Sequence, residues 1–145
     1  MRPVLKGAAL AILLVMTQDL AAQAQSGPLA QLTMKNGATQ PVTRTVPGDF
    51  DLVGAYADMD DPVTMVVLNA DGTGEWRGDT KEGTRPITWW VAADPSGKAL
   101  TNVVGLGQAH TLIVDFGGGN YSGFELAIVP GSREIWINRD RVRRY

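Results

Sequence analysis

The chain of 145 residues contains no cysteine and a single histidine, His110. The first absence removes disulfide staples, thiolate nucleophiles, iron–sulfur ligation and cysteine zinc sites together. With one imidazole, neither a histidine-rich metal site nor a relay of several imidazoles can be built. Charge of either sign is also scarce: 13 Lys and Arg face 15 Asp and Glu, a formal −2. That balance supplies no general attraction to nucleic acid. At 19% charged and 44% hydrophobic residues, the composition is too apolar and too weakly charged for a disordered chain. The length allows one ordinary domain and excludes a multidomain enzyme.

Long apolar runs are missing too. The longest, from Ala8 to Met16, follows the cations Arg2 and Lys6 and is closed by Thr17-Gln18-Asp19. It is shorter than the about 20 residues that a membrane-spanning helix needs. Ala22-Gln23-Ala24 then fits the small-x-small rule for cleavage before Gln25. Residues 1–24 therefore read as a signal peptide and the mature chain as a periplasmic or secreted protein with no stable transmembrane segment. Loss of Arg2, Lys6 and Asp19 with the leader takes the formal charge to −3. Without cysteine, a protein in an oxidising compartment must rely on its core alone.

Residues 25–48 are polar and broken by Pro28, Pro41 and Pro47, with weak strand character in Leu29–Met34 and Val42–Val46. Asn36-Gly37 between them suits a tight turn, because both residues tolerate positive φ. The segment reads as a loose hairpin, an edge strand or an irregular lead-in to a domain over residues 49–145.

From Phe50 onward, short β-rich runs alternate with Gly, Asp, Asn and Pro clusters, and none holds a helical apolar stripe for three turns. Eight strands are expected: Phe50–Ala57, Val63–Asn69, Thr73–Gly78, Ile87–Ala92, Leu100–Gly105, Thr111–Phe116, Tyr121–Val129 and Glu134–Arg139. Ala70-Asp71-Gly72, Asp94-Pro95-Ser96-Gly97, Gly117-Gly118-Gly119-Asn120 and Pro130-Gly131 supply the reversals. Such short joints make sequential neighbours antiparallel. Alternation groups Leu112, Val114 and Phe116 on one face, Phe124, Leu126 and Ile128 on the next, and Ile87, Trp89 and Val91 on another. Val63–Leu68 is apolar on both faces and calls for a second cover, which the N-terminal segment can supply. The expected fold is all-β: one antiparallel up-and-down barrel of about eight strands, with a β-sandwich as the alternative. A closed ring removes the exposed sheet edges that invite aggregation.

The opening Gly48-Asp49-Phe50-Asp51-Leu52-Val53-Gly54-Ala55-Tyr56, followed by the Asn69–Gly74 hairpin, resembles small bacterial lipocalin-like (calycin-type) proteins. The resemblance covers residues 48–145 in layout. It implies a Gly-x-Trp triplet on the first strand with an arginine near the last strand packed on the ring. Here Gly54-Ala55-Tyr56 has tyrosine in the aromatic place, and Arg139 or Arg141 is the expected cation.

Motifs for catalysis are weak. Asp49, Asp51, Asp58, Asp60 and Asp61 cluster as calcium ligands do, but the glycine and glutamate of a helix–loop–helix calcium loop are not in place. They read as solvated turn residues, and no metal is expected. Gly72-Thr73-Gly74 and Gly117–Gly119 lack the Lys-Ser/Thr and helix of a phosphate loop. No serine sits in a Gly-x-Ser-x-Gly elbow that His110 would serve. Glu75, Glu125 and Asp115 offer carboxylates without a spacing that pairs them. No cofactor is implied.

The aromatics are the more informative group, since tryptophan joins a large apolar area to one N–H donor. Tyr56, Trp76, Trp89 and Tyr121 are expected to line a barrel mouth that binds a small apolar ligand. Trp90 and Trp136 fall on the opposite faces of their strands. Together with Arg139 and Arg141 they form a candidate surface for an envelope protein partner, with burial under the N-terminal segment as the alternative. The functional expectation is an exported, non-catalytic binding protein. The alternatives are an inhibitor or immunity protein against a secreted hydrolase, and a small barrel isomerase or cyclase.

Overall fold

A computed structural model describes residues 27–48, 50–61, 63–78, 83–104 and 107–145, with backbone alone at 103, 104, 107 and 108. The leader and its cleavage point before Gln25 lie outside these residues. Every regular element described is a strand: β1 (Ala30–Thr33), β2 (Thr39–Thr43), β3 (Gly54–Asp58), β4 (Met65–Leu68), β5 (Thr73–Arg77), β6 (Arg85–Ala92), β7 (Asn102–Val104), β8 (Gly107–Asp115), β9 (Tyr121–Ile128), β10 (Glu134–Ile137) and β11 (Asp140–Arg144). Among the described residues no helix is long and apolar enough to cross a membrane.

Eight of these strands form a closed antiparallel ring in the order β3-β4-β5-β6-β8-β9-β10-β11, and β11 pairs back onto β3. Closure decides between barrel and sandwich in favour of the barrel. The joints follow from turn chemistry. Between β4 and β5, Gly72 takes φ 88° and donates its N–H to Asn69 O at 3.0 Å. There the Asp71 carboxylate accepts from the Thr73 hydroxyl at 2.6 Å and from its N–H at 2.9 Å. Those two donors hold the Asp71 carboxyl below its ordinary pKa.

Two strands differ from the sequence expectation. The run Leu100–Gly105 is not a stave of the ring: β7 pairs only with the first residues of β8, beyond the point where β6 pairs with β8. The missing stave is β11, reached from β10 through Asn138 at φ 56° and Arg139. Its alternation was hidden because Val142 is the one apolar residue in Asp140–Arg144.

Inside the ring, Tyr56, Leu68, Trp89, Val91, Leu112, Val114, Leu126, Ile135 and Val142 are fully buried and belong to one apolar cluster. Each large side chain so enclosed contributes about 1.5–3 kcal/mol. An eight-stranded barrel is just wide enough for such side chains to fill. The N-terminal hairpin β1–β2 continues the sheet from β6, where Val42 pairs with Ala92 and Thr43 with Val91. Leu32 and Val42 pack there with Ala92 and Ile113, and Met34, Trp90 and Tyr121 flank them. The hairpin thus covers β6 and β8, not β4, whose Val67 stays half-buried.

Candidate functional site

The two ends of the barrel are built differently. At the end where β3 begins and β11 finishes, residues 50–53 fold inward: Leu52 is buried, and Phe50 and Val53 pack on the core. Tyr56 is fully enclosed and donates its hydroxyl to Leu52 O at 2.9 Å. Burial pushes its phenol up to about 12, with Arg144 acting weakly in the opposite direction. The Arg144 guanidinium lies 5.4 Å from the Phe50 ring centre and 5.9 Å from that of Tyr56. It donates to Asp51 O and Val53 O, both at 2.9 Å. Gly54 makes room for this arm, since a Cβ there would come within 2.5 Å of Arg144 Cδ. Arg144, not Arg139 or Arg141, is the cation over the first-strand aromatic. Toward the same end, Trp89 is also fully buried and donates its indole N–H to Asn69 O at 3.1 Å.

At the opposite end, where β5 leaves the ring and β6 enters it, three aromatics meet. Trp76 stacks on Phe124 with ring centres 4.8 Å apart and an interplanar angle of 30°. It meets Phe116 edge-on at 5.7 Å and 80°. All three rest on the buried core but are themselves only half-buried. The Arg85 guanidinium sits 4.6 Å from the Phe116 ring centre, so a cation borders this apolar surface.

Of the four residues expected at one mouth, the structure therefore leaves only Trp76 at this end. Tyr56 and Trp89 lie in the core near the closed end, their polar atoms already bonded to the main chain. Tyr121 lies on the outer wall, edge-on to Trp90 at 5.9 Å and 77°. Phe116, Phe124 and Arg85 take the vacated places. Alternation had put both phenylalanines on inward faces, and they flank the Gly117–Asn120 reversal, which was the available signal.

The expected partner residues also separate. Trp90 is half-buried beside the N-terminal hairpin, so the alternative of cover by that segment holds for it. Trp136 faces outward on β10, directly across from Arg141 on β11. Arg141 makes two hydrogen bonds to the Glu134 carboxylate, each at 2.9 Å. Arg139 is exposed in the adjoining turn.

His110 is 3% exposed, and its Nδ1 lies 2.9 Å from Leu100 O, anchoring the stretch between β6 and β7. Asp115 uses its carboxylate on the Gly117 and Gly119 amides, which shapes the β8–β9 turn. Among the described residues no three His, Asp or Glu side chains gather as metal ligands do. No family model, no curated protein and no solved structure matches this chain.

Proposed function

We propose that this is an exported, non-catalytic barrel of the lipocalin-like kind that binds a small apolar ligand at the end framed by Trp76, Phe116 and Phe124. The aromatic triad carries the reading. Three large rings face inward at a barrel end yet remain half-buried, where further apolar cover is worth about 25 cal/mol per Å². Fully buried side chains already occupy the middle of the ring, so the favoured ligand is a short or planar apolar group rather than a long chain. Arg85 adds a cation beside that surface. Export rests on the leader-like residues 1–24. The family resemblance rests on Gly54, Tyr56 and the arm of Arg144.

The test is titration with N-phenyl-1-naphthylamine, a neutral probe that fluoresces when it leaves water. Emission should rise and saturate with the native protein. Trp76→Ala and Phe124→Ala should each weaken binding by about tenfold, a loss of about 1.4 kcal/mol, while Trp136→Ala leaves it unchanged. A flat titration, or equal binding by all the variants, overturns the proposal.

A further inference from the structure

The outer wall between β3 and β11 carries a groove of about 430 Å³, lined by Ala57, Met59, Arg133, Arg143 and Tyr145, with Asp58 and Arg144 completing it. Register places Arg143 directly opposite Ala57, so a methyl-sized floor lies beside a long cationic side chain. The turn bearing Arg133 is tied to the end of β11 by the Arg144 N–H, which donates to Arg133 O at 3.0 Å.

Two properties set this groove apart. The first is exposed apolar surface. Among the described residues four large hydrophobic side chains are exposed, and two of them, Met59 at 42% and Tyr145 at 71%, border this one groove. The second is a pair of arginines without an ion pair in one lining. The ion pair found among the described residues joins Arg141 to Glu134 at 2.8 Å, outside the lining. Arg133 and Arg143 have no carboxylate partner among those residues. Asp58, the acid in the lining, spends Oδ1 on the amides of Asp60 and Asp61 at 2.7 and 3.1 Å. Arg144 turns its Nη1 to Asp51 O and Val53 O.

Arginine, methionine and aromatic side chains are the types enriched where proteins meet. Guanidinium forks match carboxylates in geometry as well as charge. We propose that the groove docks an acidic, partly apolar segment of a protein partner. Its carboxylates pair with Arg133 and Arg143, and an apolar side chain settles over Ala57 between Met59 and Tyr145. A bare phosphate would leave the two apolar residues without a role. Because the whole chain is net negative, attraction by the two arginines of this wall also orients an acidic partner before contact.

The experiment follows backbone amide shifts in ¹⁵N-labelled protein during titration with a capped hexapeptide alternating glutamate and leucine. The lysine–leucine counterpart, inorganic phosphate and phosphatidylglycerol vesicles form the other arms. The acidic peptide should move the amides of Ala57, Met59 and Arg143, and the lysine peptide should not. Arg143→Glu should weaken the acidic peptide by about tenfold or more, Arg133→Gln by roughly fivefold, and Arg141→Gln should change nothing. The proposal is overturned if Arg143→Glu binds undiminished, if both peptides act alike, or if phosphate or vesicles move these amides and the acidic peptide does not.

Discussion

The closed and the aromatic ends of this barrel use the same kinds of residue to opposite effect. At the closed end each of the aromatic and cationic side chains described has a main-chain partner: the Tyr56 hydroxyl on Leu52, the Trp89 indole on Asn69, Nη1 of Arg144 on Asp51 and Val53. At the other end Trp76, Phe116, Phe124 and Arg85 meet through ring–ring and cation–ring contacts. Hydrogen bonds to the backbone lock a group into one geometry, whereas stacking alone tolerates rearrangement around something new. The first arrangement is held by directional bonds and the second by ring contacts.

Tryptophan removal at each end gives the largest expected losses. Trp89→Ala should cost about 4 kcal/mol, and Trp76→Ala, starting from a half-buried ring, about 2 kcal/mol. Denaturant melts of both variants check this, and equal losses would erase the distinction between the ends. The two arginines sharpen it next. Arg144→Ala forfeits two charge-assisted hydrogen bonds and two ring contacts, for about 3 kcal/mol. Arg85→Ala loses one stacked contact at an exposed position, for roughly 0.5 kcal/mol. Thermal unfolding of the pair separates these values, and a mild Arg144→Ala would mean that residues 50–53 hold the end without it.

At Tyr56 the comparison narrows to a single hydrogen bond within the closed end. Tyr56→Phe leaves Leu52 O without its donor and should cost about 1 kcal/mol at neutral pH. The native phenol is raised to about 12, against an ordinary value of about 10 in the unfolded chain. Its contribution is therefore complete below pH about 10 and fades as pH climbs through about 12. Alkaline melts should show the native protein losing stability across that window and the variant losing less. Parallel curves would place the alkaline sensitivity elsewhere.

Much of the architecture was legible in the order of runs and turns. Asp71-Gly72 fixed the β4–β5 hairpin, and the inward sets around Trp89, Leu112 and Leu126 are the ones found buried. Two features resisted. Leu100–Gly105 looks like a stave by composition, yet β8 is longer than the barrel is tall, and β7 pairs only with its overhang. Asp140–Arg144 looks like a solvated tail, because an inward arginine at a barrel end and outward arginines on its wall hide a period of two. The aromatic triad was half visible. Alternation assigns Phe116 and Phe124 to inner faces and Trp76 was expected at a barrel mouth, but which rings meet depends on ring closure between β6 and β8, a pairing that local sequence does not encode.

The attachment of the N-terminal hairpin has a consequence for how the chain comes apart. Strand β6 gives one edge to β5 along its first half and to β2 along its second, so the hairpin hangs on Val42 and Thr43, on two hydrogen bonds joining Pro41 and Gln40 to Ala93 and on a small apolar patch, outside the ring. It can peel away while every stave keeps both neighbours. Amide protons in β1 should then trade with solvent through a local opening of low free energy, and those of β8 and β9 only when the whole cylinder melts.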